Sequence, residues 1–193
     1  MSFGKKFDYA TMIGVGHAYL ALKGNDKVQF ATFGEDLDIY QSRRGISQVM
    51  SMIDYLNKVK PKGKTDLAGI ARKYRKMIGS RAMVIIISDF LSSLDSIKEM
   101  LACFSQDEVS LVHILDEKEK NFFAEGDLRL SDSESQDRMR TFFSLKSRQE
   151  YTERLENHIA QVQHECLTRG VDFSSICTET PIFEAFYSVF TKR

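Results

Sequence analysis

The stretch Arg81-Ala82-Met83-Val84-Ile85-Ile86-Ile87-Ser88-Asp89-Phe90 constrains this chain more than any other. It is apolar and largely β-branched without interruption from Ala82 to Ile87, and it ends in a hydroxyl and a carboxylate. A strand with one wet face would alternate apolar and polar residues, so this run predicts a central parallel strand covered by helices on both faces. Its length, about six residues, suits a strand and not a helix. In open α/β sheets ligands bind beyond the carboxyl ends of strands, which puts Ser88 and Asp89 where a site is expected. Asp89 reads equally as a cap for the helix starting near Asp95, or for a turn before it.

The rest of the chain alternates helices and strands around that run. Phe7 to Lys23 carries Phe7, Ala10, Ile13, Ala18 and Leu22 at helical spacing, with Gly24-Asn25 as a stop. Val28 to Phe33 and Leu37 to Tyr40, joined by a turn at Gly34-Glu35, predict an antiparallel hairpin at a sheet edge. Ser47 to Val59 is an amphipathic helix, and Leu67 to Ile78 a second, capped by Thr65 or Asp66. A helix around Ile97 to Phe104 leads to another all-apolar strand, Val109 to Leu115. Glu117 to Gln136 is a charged surface excursion, with Leu128 and Leu130 set to pair in a hairpin with Met139 to Phe143. A long helix follows, with Leu155, Ile159, Val162 and Cys166 on one stripe and Gly170 at its end. Val171 to Cys177 reads as the last strand, and Pro181 opens a terminal helix whose Phe183, Phe186 and Phe190 are expected to dock on the sheet. The class is α/β with a doubly wound, mostly parallel sheet.

Composition narrows the function classes. A chain of 193 residues that is 42% hydrophobic fits a single domain, residues 1–193. Such a domain buries about 70% of its unfolded surface and needs no staple. Lys+Arg and Asp+Glu both total 27, which removes the electrostatic case for a nucleic-acid or anionic-membrane partner. Cys103, Cys166 and Cys177 are an odd number without a CxxC pair, pointing to reduced thiols in a cytoplasmic setting. No apolar run approaches the ~20 residues of a membrane span, and the amino terminus has no signal-peptide core.

Several motifs fail on spacing. Gly63-Lys64-Thr65 ends like a phosphate loop, but the earlier glycine would fall at Lys58, and the segment follows a helix. Gly14-Val15-Gly16 lies inside a helical stretch, where close packing explains the glycines better than a dinucleotide loop. His17, His113, His158 and His164 show no metal-ligand spacing, and Ser88 has no flanking glycines of a nucleophile elbow. Thr65 with Asp66, and Ser88 with Asp89, are left at two loops on the carboxyl edge. Their oxygens are hard ligands suited to Mg²⁺ or Mn²⁺, and two such loops converging would make part of an octahedral site. Two unrelated helix caps would leave the same trace.

The order of these pieces resembles the von Willebrand factor A domain, and more closely its bacterial branch called domain of unknown function 58. The carrying residues are Phe3-Gly4-Lys5-Lys6-Phe7-Asp8-Tyr9-Ala10, Asp26-Lys27-Val28, Arg44-Gly45, Gly63-Lys64-Thr65-Asp66-Leu67, Ile87-Ser88-Asp89-Phe90, Asp116-Glu117-Lys118-Glu119, Gly170-Val171-Asp172 and Thr178-Glu179-Thr180-Pro181. The resemblance implies a six-stranded doubly wound sheet and a metal ion-dependent adhesion site in which Thr65 and Asp89 are ligands. The first loop of that pattern, Asp-x-Ser-x-Ser-Met on the first strand, would stand directly before Phe3-Gly4. Met1 matches its methionine, so the first central strand is expected to lie upstream of this chain. It would sit between Val28–Phe33 and Ala82–Ile87, and the gap should be closed by direct pairing of those two strands or by a second copy of the chain.

The functional expectation is a non-enzymatic protein-interaction module with a partial metal site. The resemblance adds a MoxR-type AAA+ ATPase as partner, and metal-assisted capture of a partner carboxylate. With only Thr65 and Asp89 to hold it, Mg (or Mn) is expected to need the upstream-extended chain. The alternative from another class is a Mg-dependent phosphotransfer or hydrolytic enzyme using Asp89, since a doubly wound fold hosts both.

Overall fold

The computed structural model describes residues 3–34, 36–43, 45–59, 65–120, 126–131, 138–143 and 145–190. The Gly63-Lys64 loop, residues 121–125 and residues 132–137 lie outside that description.

Three strands form the parallel core: β3 (Met83–Ser88), β4 (Glu108–Leu115) and β7 (Asp172–Cys177), in the order β3-β4-β7. Met83 lies opposite Glu108 and Ser88 opposite His113, while Ser110 lies opposite Asp172 and Leu115 opposite Cys177. Parallel pairing demands crossovers, and helices α4 (Leu94–Cys103) and α6 (Leu145–Thr168) fall in the two of them. On one face Val84 and Ile86 of β3 and Val109 and Leu111 of β4 pack under α3 (Leu67–Met77), α4 and α6. On the other, Ile85, Ile87, Val112, Ile114 and Ile176 pack under α1 (Phe3–Lys23) and α7 (Ile182–Phe190). Helices on both faces make the sheet doubly wound, as the apolar runs predict, and Ile86 is 8% exposed. β4, not β3, is flanked by strands on both sides. Among the described residues β3 is an edge of this sheet, and Ile85 and Ile87 are only partly buried.

β1 (Val28–Phe33) and β2 (Leu37–Arg43) form the expected hairpin, as a separate two-stranded sheet. Direct pairing of β1 with β3 does not occur. Val28 and Phe30 are held instead against Ala18 of α1 and Met52 and Leu56 of α2 (Gln48–Leu56), and sliding the hairpin onto β3 would strip that cluster. A second hairpin, β5 (Gly126–Ser131) with β6 (Arg138–Phe143), follows the short helix α5 (Glu117–Lys120).

Helix ends follow local chemistry. Asp66, not Thr65, caps α3 by accepting from the Gly69 amide at 3.0 Å. Gly170 takes φ +66 after α6, with the Val171 amide closing back on the Cys166 carbonyl at 2.9 Å. In α7 the docking face is Ile182, Ala185 and Val189, with Phe186 turned toward α1. Phe183 is 85% exposed and Phe190 45%, contrary to the expectation that both dock. Ile182, Ala185 and Val189 share one face at spacings of three and four, and Phe183 lies a residue off it. Close packing of the α1 glycines is observed: a Cβ on Gly16 would stand 2.7 Å from the Phe186 ring.

Candidate functional site

Parallel strands share a carboxyl edge, and in this chain the first turns of α1 lie across it. Lys5 pairs with Glu179 beyond β7, and the Tyr9 hydroxyl donates to the Thr180 carbonyl at 2.7 Å. Between them Lys6 Nζ donates to Asp89 Oδ2 at 3.0 Å and to Glu119 Oε1 at 2.8 Å. Three side chains of one helix therefore tie together the loops that follow all three strands.

Each acid in that cluster is positioned by its own loop. Glu119 lies in the Asp116-x-x-Glu119 turn, where its Oε2 accepts from the Asp116 amide at 3.1 Å, its own amide donates to the Asp116 carbonyl at 2.9 Å, and its side chain is buried. Asp89 follows β3, and its side chain remains 35% exposed. The next residue, Phe90, has φ 45, a left-handed backbone that costs a bulky residue roughly 1 to 3 kcal/mol. That conformation is held from three sides. The Phe90 amide donates to Ser88 Oγ at 3.2 Å, His158 Nε2 of α6 donates to the Phe90 carbonyl at 2.7 Å, and the ring is 1% exposed. Asp89 does not cap α4, whose cap is Ser93, accepting from the Ser96 amide at 3.3 Å, but its Oδ1 accepts from the Leu91 amide at 3.5 Å in the turn before that helix.

Burial pulls the Lys6 pKa down, but the Asp89 charge and the Glu119 hydrogen bond outweigh it and hold the ammonium above its ordinary 10.5. His113, on β4 behind Asp89, is 2% exposed, and burial lowers its pKa to about 4. Its Nδ1 is 2.9 Å from Ser175 Oγ, and its ring stacks on Phe173. The crevice lined by Asp89, Phe90, His113, His158, Ile159, Val162 and Phe173 has no room even for a water molecule. Burial likewise raises the Cys166 thiol to about 12, so it is an inert core group.

Of the two residues expected to bind metal, Thr65 lies half-buried before α3 and Asp89 stands at the carboxyl edge. No hydrogen bond joins them. Among the described residues no three His, Cys, Asp or Glu side chains are grouped to hold a metal ion. Mg²⁺ takes about six oxygen ligands, whereas Asp89 Oδ2 and Glu119 Oε1 are both bonded to an ammonium. Among the described residues the donor set does not fit the ion.

Lys6, Glu119 and His158 carry no role in a reading of the sequence alone. A signal for Lys6 existed: it lies three and seven residues before Tyr9 and Ile13, a charge on the stripe that faces the sheet. Glu119 could have been found from the Asp-x-x-Glu spacing.

The fold and the edge cluster define a doubly wound α/β domain with a polar carboxyl rim. The chain belongs to the family described as "Protein of unknown function DUF58", whose model matches residues 2–161. A similar solved structure is a conserved hypothetical protein, BatB, from Bacteroides thetaiotaomicron. It is 12% identical with a TM-score of 0.57, over 96% of this chain and 87% of that one. Another is an aerotolerance-related membrane protein from Bacteroides fragilis NCTC 9343 carrying multiple mutations to serine, 12% identical with a TM-score of 0.49, over 96% and 85% of the two chains. At that identity the likeness to the first speaks for the fold alone, and that to the second carries no argument. A comparison with curated proteins finds no match. Among the described residues no helix is long and apolar enough to cross a membrane.

Proposed function

We propose that the chain is a non-enzymatic protein-interaction module of the von Willebrand factor A type, working in the cytoplasm with a MoxR-type AAA+ ATPase through the carboxyl edge of its parallel sheet. The observation that carries this reading is the convergence of three strand-end loops under α1 at Asp89, Glu119 and Thr180. It gives a shaped polar rim, and the crevice behind it is filled with side chains and offers no enclosed volume for a small substrate. The resemblance supplies the ATPase as the class of partner. Among the described residues, Thr65 and Asp89 are the positions such a module would offer to a metal.

Titrating the purified chain against a MoxR-type ATPase tests the module. Binding that weakens about tenfold or more in Asp89→Ala is the expected result, and equal affinity of parent and variant would sink the docking face. Gel filtration of the chain alone measures whether a second copy pairs along the open edge of β3.

One observation favours the enzymatic alternative: Lys6 places an ammonium 3.0 Å from a strand-end aspartate, an arrangement suited to phosphotransfer on Asp89. Turnover of generic phosphate esters or ATP with Mg²⁺, lost in Asp89→Ala, would establish that reading in place of the first.

A further inference from the structure

We infer that Lys6 is the resident cation of the carboxyl edge: its ammonium takes the place at Asp89 and Glu119 that a divalent ion would take, so the cluster is held together without a metal. The resemblance implies an ion at Asp89, and the geometry of this chain disagrees.

Three observations support the substitution. One nitrogen lies within hydrogen-bonding distance of both carboxylates, 3.0 Å from Asp89 and 2.8 Å from Glu119, and so bridges two acids as an ion would. The second oxygen of Glu119 is taken by the Asp116 amide at 3.1 Å, while that of Asp89 lies 3.5 Å from the Leu91 amide. An incoming Mg²⁺ would therefore find neither a carboxylate free of the ammonium nor a full set of oxygens. Finally, the ammonium has nowhere else to go. Tyr9 and Ile13 on the same stripe of α1 are 5% and 0% exposed, and Tyr9 is bonded to Thr180, so α1 cannot roll Lys6 away without breaking its own packing. A tethered cation of this kind competes at a high effective concentration against one free in solution.

The cluster should then ignore divalent ions in the parent chain and acquire a response to them once Lys6 is removed.

Thermal melts and titration calorimetry with Mn²⁺ and Mg²⁺ test it on the chain alone. The parent should melt within about 1 °C of the same temperature with chelator or with millimolar ion. Lys6→Met should melt about 5 °C or more lower, because two carboxylates lose their partner, and regain at least half of that in millimolar Mn²⁺. Lys6→Arg should behave as the parent, and Lys6→Met with Glu119→Gln should lose the response to Mn²⁺. Should Lys6→Met not fold, paramagnetic broadening in the parent decides: amides around Asp89 and Glu119 should stay sharp with added Mn²⁺. Broadening centred there, micromolar Mg²⁺ or Mn²⁺ binding by the parent, or a Lys6→Met protein as stable as the parent and indifferent to ions would overturn the inference.

Discussion

The two ends of the β3–β4 pair use the same ingredients for different ends. At the amino end Asp107 has a fully buried side chain; its Oδ1 accepts from the Ala82 amide at 2.9 Å, and Arg75 Nε lies 3.3 Å from its Oδ2. It is a clip that aligns the start of β3 with the loop before β4. At the carboxyl end Asp89 is 35% exposed, follows directly on Ser88 and precedes a residue with strained backbone, and its partner Lys6 comes from the far end of the sequence. Asp107 is closed to water and set among neighbours in the fold, whereas the carboxyl-edge cluster gathers groups from three loops and leaves Asp89 accessible. An acid–base contact by itself says little about role; exposure and the origin of its partners separate the clip from the candidate site.

Removing each aspartate should expose that difference most strongly. Asp107→Ala leaves the Ala82 amide without its acceptor and Arg75 without its ion-pair partner, and should cost about 3 kcal/mol. Asp89→Ala removes a solvent-screened charge, leaves Lys6 with Glu119, and should cost less than about 1 kcal/mol. Denaturant unfolding of the two variants measures the asymmetry, and equal losses would erase the distinction between clip and site.

Acid should act next, through His113. Its folded-state pKa lies near 4 and its ordinary value at 6.5, so the unfolded chain takes up a proton first. Stability is therefore fully present above pH 6.5 and falls as the pH drops toward 4, by roughly 2 kcal/mol at pH 5. Burial is the main cause; Asp89 opposes it, while Lys6 and His158 reinforce it. His113→Phe, which removes the titrating ring that lies between Phe90 and Phe173, should flatten the profile between pH 5 and 6.5, and an unchanged slope would assign the loss to other groups.

The support under Asp89 can be weakened without touching it. His158→Ala withdraws one donor from the Phe90 carbonyl and should cost about 1 kcal/mol. Amide exchange should quicken at Phe90 and Leu91 while that of Ala82 stays as it was; uniform quickening would mean that His158 supports the core, not the loop. The smallest effect compares two glycines. Gly16→Ala gains helix propensity of about 1 kcal/mol but drives a methyl into Phe186, for a net loss of about 0.5 kcal/mol. Gly79→Ala meets nothing within 4 Å and should gain about 0.5 kcal/mol. Matching signs in thermal melts would show that the α1–α7 contact is looser than described.

Element identity was legible from the sequence because it rests on short-range physics. The uninterrupted run Ala82–Ile87 could be buried only on two faces, Gly170 could stop α6 where a left-handed residue was needed, and Leu128 and Leu130 alternated as a strand must. The strand-end position of Asp89 followed from the same run. The place of β3 at an edge did not, since an apolar run reports that a strand is covered and not which strand lies beside it. Nor did the outward turn of Phe183, because an aromatic residue beside the docking stripe of α7 looks like one within it until the helix is seated. The sequence by itself determined which segments are helix or strand and that an acid stands at the end of β3. Only the tertiary structure decided that Lys6, 83 residues away, would be the group that meets that acid, because an ion pair between distant residues is set by how a helix lies across a sheet, and no local propensity encodes that.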